Sequence, residues 1–406
     1  MPVPNDPELL LAAACCRWPP SAARNAAVRE AAAKVQDWDR FQAVTARQRV
    51  AGLVHTALAQ AGVRPPSAVF EALAQSAHAI ARANLIAAAE TVRLIGLIEG
   101  AGYPVIAVKG VSLAALAYGA ISLKHGKDID LLILPDHAQP VIALLEKNSY
   151  HLALPAKQLS PAQRGVLTRY GKDVTMGRGR AYPQLELHWR LLNYRALLPG
   201  ITARSPTQTV ALAPTMSVNT LTTPNLFAYL AVHGAGDGWF RMKWLADFNA
   251  LLTGRSSAEI KALYEHAKRL GADWCAAQAL LMARELFGLE LEVEFETELR
   301  GSRRVRTLMG LAYQLMAGAD GRIELQNWRD GRMKLLFMQP LLARGFRHLA
   351  EIVTWSMFVQ IDMYRSNAPP SLYVFYPLFR LPFWIARRLG VRNRPGKNGT
   401  ASKKPA

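Results

Sequence analysis

Two aspartates in one short stretch offer this chain its clearest chemistry. Asp128 and Asp130 open the run Lys127-Asp128-Ile129-Asp130-Leu131-Leu132-Ile133-Leu134, which Pro135 closes. A largely apolar run without polar alternation predicts a strand inside a sheet, because such a strand must be covered on both faces. Side chains at i and i+2 leave a strand on one face, so the two carboxylates point together with their Cα atoms roughly 7 Å apart. Brought to about 4 Å, two like charges repel by about 4 kcal/mol at an effective dielectric of about 20. The pair therefore calls for a proton or a divalent cation between its oxygens. Oxygen donors of this kind suit Mg²⁺ or Mn²⁺ rather than zinc. By itself an Asp-x-Asp at a strand entrance also reads as a solvated turn, so its neighbours decide.

Upstream, Tyr103 to Val108 predicts a second short apolar strand, ending in Lys109 and Gly110 and opening into a helical pattern from Val111 to Tyr118. A strand, a glycine and a helix start place free backbone N–H groups and a positive dipole end where a phosphate can sit, and Lys109 adds a point charge. Its plain alternative is a lysine reaching from a strand end to water. Downstream, Gln184-Leu185-Glu186-Leu187-His188-Trp189-Arg190 alternates polar and apolar residues as a half-buried strand does, so Glu186 and His188 share a face. Beside the aspartate strand, Glu186 is a third carboxylate for the same cluster; elsewhere, the face is merely solvated.

The order Lys109-Gly110, Leu113 and Tyr118, Asp128-Ile129-Asp130-Leu131-Leu132, Glu186-Leu187-His188-Trp189-Arg190, and then His233 with Lys243-Trp244-Leu245-Ala246-Asp247 resembles the uncharacterised nucleotidyltransferase family of the polymerase-beta-like superfamily. The resemblance covers about residues 35 to 255, and the helical remainder more loosely. It implies an α/β (α+β) fold class, with a small mixed-sheet nucleotidyltransferase core, N-terminal helices and a C-terminal helical domain. In that frame Asp128, Asp130 and Glu186 hold Mg²⁺ (or Mn²⁺), and Glu186 helps activate the acceptor. Lys109, Gly110, Lys124, His188, His233, Lys243 and Asp247 are the nucleotide-binding set. The implied reaction moves a nucleoside monophosphate from an NTP to an acceptor hydroxyl or phosphate and releases pyrophosphate. The acceptor is a small molecule, peptide or protein, with nucleic acid less favoured.

Three departures bear on activity. Gly110-Val111 stands where the superfamily usually has Gly-Ser or Gly-Gly, and Lys124-His125-Gly126-Lys127 where the family tends to carry Arg-Pro. Lys124 keeps the charge without the planar fork that arginine offers a phosphate. The third acid is a glutamate where aspartate is common. These departures leave a non-catalytic NTP- or polyanion-binding protein on the same fold as the alternative.

Around these residues the chain divides into residues 1–101, an N-terminal helical layer; 102–222, the α/β core; 223–390, a C-terminal helical domain; and 391–406, a basic tail expected to be disordered. Helical spacing marks Ala22 to Val35, Trp38 to Gly62 and Ser67 to Glu99. Further helices are expected over Pro135 to Lys147, Pro161 to Tyr170, Asn225 to Gly234 and Arg241 to Leu252, with strands at Tyr150 to Leu154 and Asp173 to Met176. In the last of those helices Lys243 and Asp247 are four apart, which without the resemblance is an exposed surface pair of little weight. The loop Gly177-Arg178-Gly179-Arg180 reads as a solvated turn, with a phosphate-contacting tip as the other reading.

At 406 residues and 51% hydrophobic content the chain can bury two or three cores, and a net charge of +19 favours polyanionic partners. Three cysteines at Cys15, Cys16 and Cys275 provide neither a disulfide framework nor a Cys-x-x-Cys metal site, which points to a reducing cytoplasm. A signal peptide is not expected, since Asp6 and Glu8 precede the first apolar run. No uninterrupted run reaches the roughly 18 apolar residues of a membrane span. Aromatic and basic residues interleave from Phe337 to Trp355 and from Tyr373 to Arg388. Such a segment docks on its own domain or, in the second reading, associates weakly with a membrane surface.

Overall fold

The computed structural model describes residues 4–126, 128–153, 161–317 and 333–358. Five helices come first: α1 (Pro7–Cys15), α2 (Ala22–Ala32), α3 (Trp38–Gln48), α4 (Ala51–Ala61) and α5 (Ser67–Gly100). Their starts follow from capping chemistry. Asp6 accepts a hydrogen bond from Leu9 N at 3.0 Å ahead of Pro7, and the Asp37 side chain accepts from Arg40 N at 2.9 Å. The run expected as one helix from Trp38 to Gly62 is two, because Arg49 closes α3 in the left-handed conformation, at φ 57°.

The core then follows with β1 (Val105–Ala107), α6 (Val111–Tyr118), β2 (Asp128–Ile133), α7 (Ala138–Lys147), β3 (His151–Leu152), α8 (Pro161–Tyr170), β4 (Asp173–Gly177) and β5 (Gln184–His188). The sheet order is β1-β2-β5-β4-β3, so the aspartate strand is interior as expected. Only β2 and β5 run parallel among the pairings; the others are antiparallel. The helix expected from Pro135 begins as a 3₁₀ turn, Pro135–His137, before α7. A hairpin that the sequence reading did not resolve, β6 (Thr207–Ala213) and β7 (Met216–Leu221), turns at Pro214 and Thr215 and forms its own two-stranded sheet.

Helices return with α9 (Thr223–Gly236), α10 (Met242–Leu251), α11 (Ser257–Arg269), α12 (Asp273–Phe287), α13 (Val293–Gly301) and α14 (Arg303–Met316). Two more helices follow, α15 (Met333–Met338) and α16 (Phe346–Phe358). The aromatic-basic stretch from Tyr373 to Arg388 and the tail from 391 lie outside the described residues. Among the described residues no helix is long and apolar enough to cross a membrane.

The sheet's alternation separates packing from chemistry. Ile129, Leu131 and Ile133 of β2, Leu185 and Leu187 of β5, and Val174 and Met176 of β4 share one core with Leu94 and Ile98 of α5 and Val141 and Leu145 of α7. The residues between them, Asp128, Asp130, Glu186, His188 and Asp173, leave the opposite face. Beyond that face lies the second core, in which Leu9 and Leu11 of α1, Phe41 of α3 and Leu53 of α4 join Phe227 of α9, Leu245 of α10 and Leu280 of α12. The N-terminal helices and the later helices thus bury one continuous apolar interior, with a cleft between it and the polar sheet face.

Candidate active site

Register brings the acids together. In the parallel pairing of β2 with β5, Asp130 stands opposite Glu186 and Leu132 opposite His188; in the antiparallel pairing of β5 with β4, His188 stands opposite Asp173. Asp130, Glu186 and His188 each offer a donor atom, and these atoms lie within 4.8 Å of one another. His188 Nε2 is 3.3 Å from Asp130 Oδ1 and 3.5 Å from Glu186 Oε2, while its Nδ1 lies 3.5 Å from Asp173 Oδ2. Asp128 lines the same cleft two residues before Asp130. Carboxylate oxygens joined by one imidazole nitrogen make a donor set that can hold a metal ion. His188, expected to touch nucleotide, lies within this cluster.

The lysine–glycine corner closes over the cluster. Lys109 Nζ lies 2.7 Å from Asp130 Oδ1 and 3.9 Å from Glu186 Oε2. Burial opposes the ammonium charge, but the Asp130, Tyr229 and Glu186 oxygens outweigh it and hold the Lys109 pKa well above its ordinary value. In return, although burial favours the protonated acid, Lys109 and His188 hold the Asp130 carboxyl well below the usual range. The carboxylate is therefore ionised at any physiological pH. Gly110 adopts φ 68° and ψ −128°, a conformation that favours glycine. A Cβ there would stand 3.2 Å from the Asp128 carbonyl oxygen and 4.0 Å from Asp130 Oδ2. The start of α6 approaches the aspartate strand closely because the corner is glycine.

The remaining expected residues line the same cleft, of about 1000 Å³, from the helical side. Lys124 and Asp247 are both buried and face each other at 3.4 Å, and Tyr118 donates to Asp247 Oδ1 at 3.0 Å. Asp247 is thus not half of an exposed pair with Lys243: its close partners come from α6 and from the loop before β2. Burial raises its pKa, with Lys124 opposing. Lys243 lies along the cleft wall 6.0 Å from the Trp244 ring; burial and then Lys124 push its pKa down to about 7. His233 stacks on Tyr229 with ring centroids 5.8 Å apart, and burial followed by Lys109 holds it well below its usual pKa. Near it Asp237 is pushed up to about 6 by burial. The basic loop does not reach the cleft: Arg178 turns to Glu90 of α5 at 3.6 Å and lies over the Tyr182 ring.

Several site residues were not anticipated. Asp173 and Lys172, an ion pair at the start of β4, border the cluster, and Arg49 lines the cleft from the N-terminal helices. Asn84 of α5 is buried and donates to the Ile121 and Lys124 carbonyls at 2.5 and 2.7 Å, fixing the loop that leads into β2. The alternation of polar Asp173 and Thr175 with core-facing Val174 and Met176 was a usable signal for Asp173. Asn84 had none beyond being an amide in an otherwise apolar stretch of helix.

A five-stranded mixed sheet presenting paired aspartates and a glutamate, from adjacent parallel strands, to a cleft under a lysine–glycine corner is a nucleotidyltransferase-type core. Residues 34–288 match the family described as uncharacterised nucleotidyltransferase, and the chain belongs to that family. The match takes in the whole five-stranded sheet and the helices from α3 through α12. No match is found among curated proteins.

Proposed function

We propose that the protein is a metal-dependent nucleotidyltransferase that moves a nucleoside monophosphate from an NTP to an acceptor hydroxyl or phosphate and releases pyrophosphate. The observation that carries this reading is the meeting of Asp130 and Glu186 across parallel strands, with Asp128 on the same face and Gly110 against the aspartate backbone. Asp128, Asp130 and Glu186 would hold Mg²⁺ or Mn²⁺, with His188 completing or orienting the set. When bound, the ion supplies charge neutralisation to the phosphates and lowers the acceptor's barrier to attack.

The chain's own groups do the rest. Lys109 and the N–H groups at the start of α6 receive phosphate oxygens. An acceptor oxygen forms a bond to the α-phosphorus while the bond to the bridging oxygen of the β-phosphate breaks, and pyrophosphate leaves with that electron pair. For a hydroxyl acceptor, Glu186, less buried than Asp130, takes the proton. The acceptor we favour is a small molecule, peptide or protein, and the three buried, unpaired cysteines fit a cytoplasmic setting.

The test is incubation with Mg²⁺ and NTPs labelled at the α-phosphate, alone and with candidate acceptors. Pyrophosphate release with label transferred to an acceptor or to the protein, abolished by Asp128→Asn and by Asp130→Asn, is the expected result. NTP binding without turnover, unchanged in both variants, would overturn the proposal.

A further inference from the structure

Beyond the acidic cluster, three separate parts of the chain bring nitrogen donors to one stretch of cleft wall: the cations Arg49 at the end of α3 and Lys243 in the first turn of α10, and the His125 imidazole in the loop before β2. Neighbouring Lys124 is matched by Asp247. Arg49 and Lys243 have no carboxylate within 4.0 Å among the described residues. The fold nevertheless fixes them. Arg241 donates to the Arg47 carbonyl, Met242 N donates to Gln48 Oε1 at 2.6 Å, and Arg47 Nη2 donates to the Leu315 carbonyl at 2.7 Å. The first two bonds staple the end of α3 to the start of α10, the third ties α3 to α14, and Arg49 itself is held at φ 57°, a conformation uncommon for a residue with a Cβ.

We infer that Arg49, His125 and Lys243 form the subsite for the terminal phosphates of the nucleoside triphosphate, so that an arginine from the N-terminal helices completes a site whose acidic half lies on the sheet. The assignment of the ligand rests on the nucleotidyl-transfer reading. Like charges held side by side, as Lys243, Arg49 and Lys124 are, repel, and a polyphosphate offsets that repulsion by supplying oxygens to them and to the His125 ring N–H. Arginine suits the task because its planar fork meets two phosphate oxygens at once, a geometry that Lys124 lacks. Reach fits as well: His125 is three residues before Asp128, so their Cα atoms are at most about 11 Å apart. A polyphosphate tail whose first phosphorus sits by the aspartates extends toward this wall.

The test uses the full-length protein in EDTA and calorimetric titration with inorganic tripolyphosphate. Arg49→Gln and Lys243→Gln should each weaken binding by about tenfold or more, as loss of a hydrogen bond to a charged group does. Arg49→Lys should recover part of the loss, and Lys34→Gln, which removes an exposed charge just after α2, should change little. Circular dichroism confirms that each variant is folded. Tripolyphosphate affinity equal to wild type in both Gln variants, or an equal loss in Lys34→Gln, overturns the subsite. Pyrophosphate release by the wild type together with that result leaves the transfer reading intact. Conversely, no pyrophosphate release together with the expected binding losses removes that reading and keeps the anion subsite.

Discussion

Asp130 sits between Lys109 and His188, so removing its charge has two separable consequences. The first is chemical: without the central carboxylate the cluster loses a cation ligand, and transfer should fall by a hundredfold or more, on the order of several kcal/mol of transition-state stabilisation. The second is structural, because Asp130→Asn strands the Lys109 ammonium, whose side chain is only 18% exposed. Breaking a buried ion pair by removing one partner costs about 3–5 kcal/mol. In EDTA, urea unfolding should therefore show Asp130→Asn and Lys109→Met each destabilised, and the double variant losing clearly less than the sum. Additive losses would mean that the pair contributes nothing as a pair. Asp128, Asp130 and Glu186 were legible from the sequence because strand alternation dictates side-chain direction. The partners of Asp247 were not, since spacing along one helix says nothing of Tyr118 and Lys124 arriving from other elements.

Gly110 is where one element is positioned against another. Adding a methyl group at φ 68° and ψ −128° costs about 1–3 kcal/mol in backbone strain and meets the Asp128 carbonyl at 3.2 Å. The strand start must give by a few tenths of an ångström, and since displacing catalytic groups by a full ångström loses on the order of a hundredfold in rate, a smaller but clear loss is expected. Gly110→Ala should accordingly lower the rate of pyrophosphate release more than its modest loss of thermal stability would explain, as paired rate and melting measurements would show. Elements marked by strong local chemistry were readable: β2 by its apolar run ending at proline, and α6 by the preceding glycine. The break between α3 and α4 was not, because the left-handed cap there is Arg49 rather than the usual glycine. Nor was the β6–β7 hairpin, whose strands alternate with small and polar residues and turn at Pro214-Thr215 instead of an Asn-Gly type dipeptide.

On the scale of the whole molecule, the family match begins at residue 34, yet α1 lies in the shared apolar core before it. Leu11 is fully buried, so Leu11→Ala should cost about 2–5 kcal/mol in urea unfolding; a smaller loss would make α1 peripheral. Sequence periodicity showed that these helices exist but not that they share an interior with helices some 200 residues later, since amphipathic faces do not name their partners. That shared interior sets Arg49 beside Lys243 and so gives the site a pH dependence. The groups around Lys243 include the cations Lys124, Arg49 and Lys109 and the acid Asp247, with His125, His233 and Asp237 also within its electrostatic reach. His125 is pushed down to about 4 by burial and then by Lys243, so it stays neutral near pH 7. Lys243, at about 7, is half charged there. A bound polyanion raises its pKa, so binding takes up a proton. Below pH 7 the charge is already present and affinity is fullest; as pH rises through 7 the free protein loses it and affinity falls. Asp237, at about 6, acts in the same direction by gaining negative charge. Tripolyphosphate affinity should therefore decline between pH 6 and pH 8.5 by more in the wild type than in Lys243→Gln, and the buffer-dependent binding enthalpy that reports proton uptake should be larger in the wild type than in Lys243→Gln. Equal declines in the two proteins would assign the titration to Asp237 or to the ligand and leave Lys243 charged throughout.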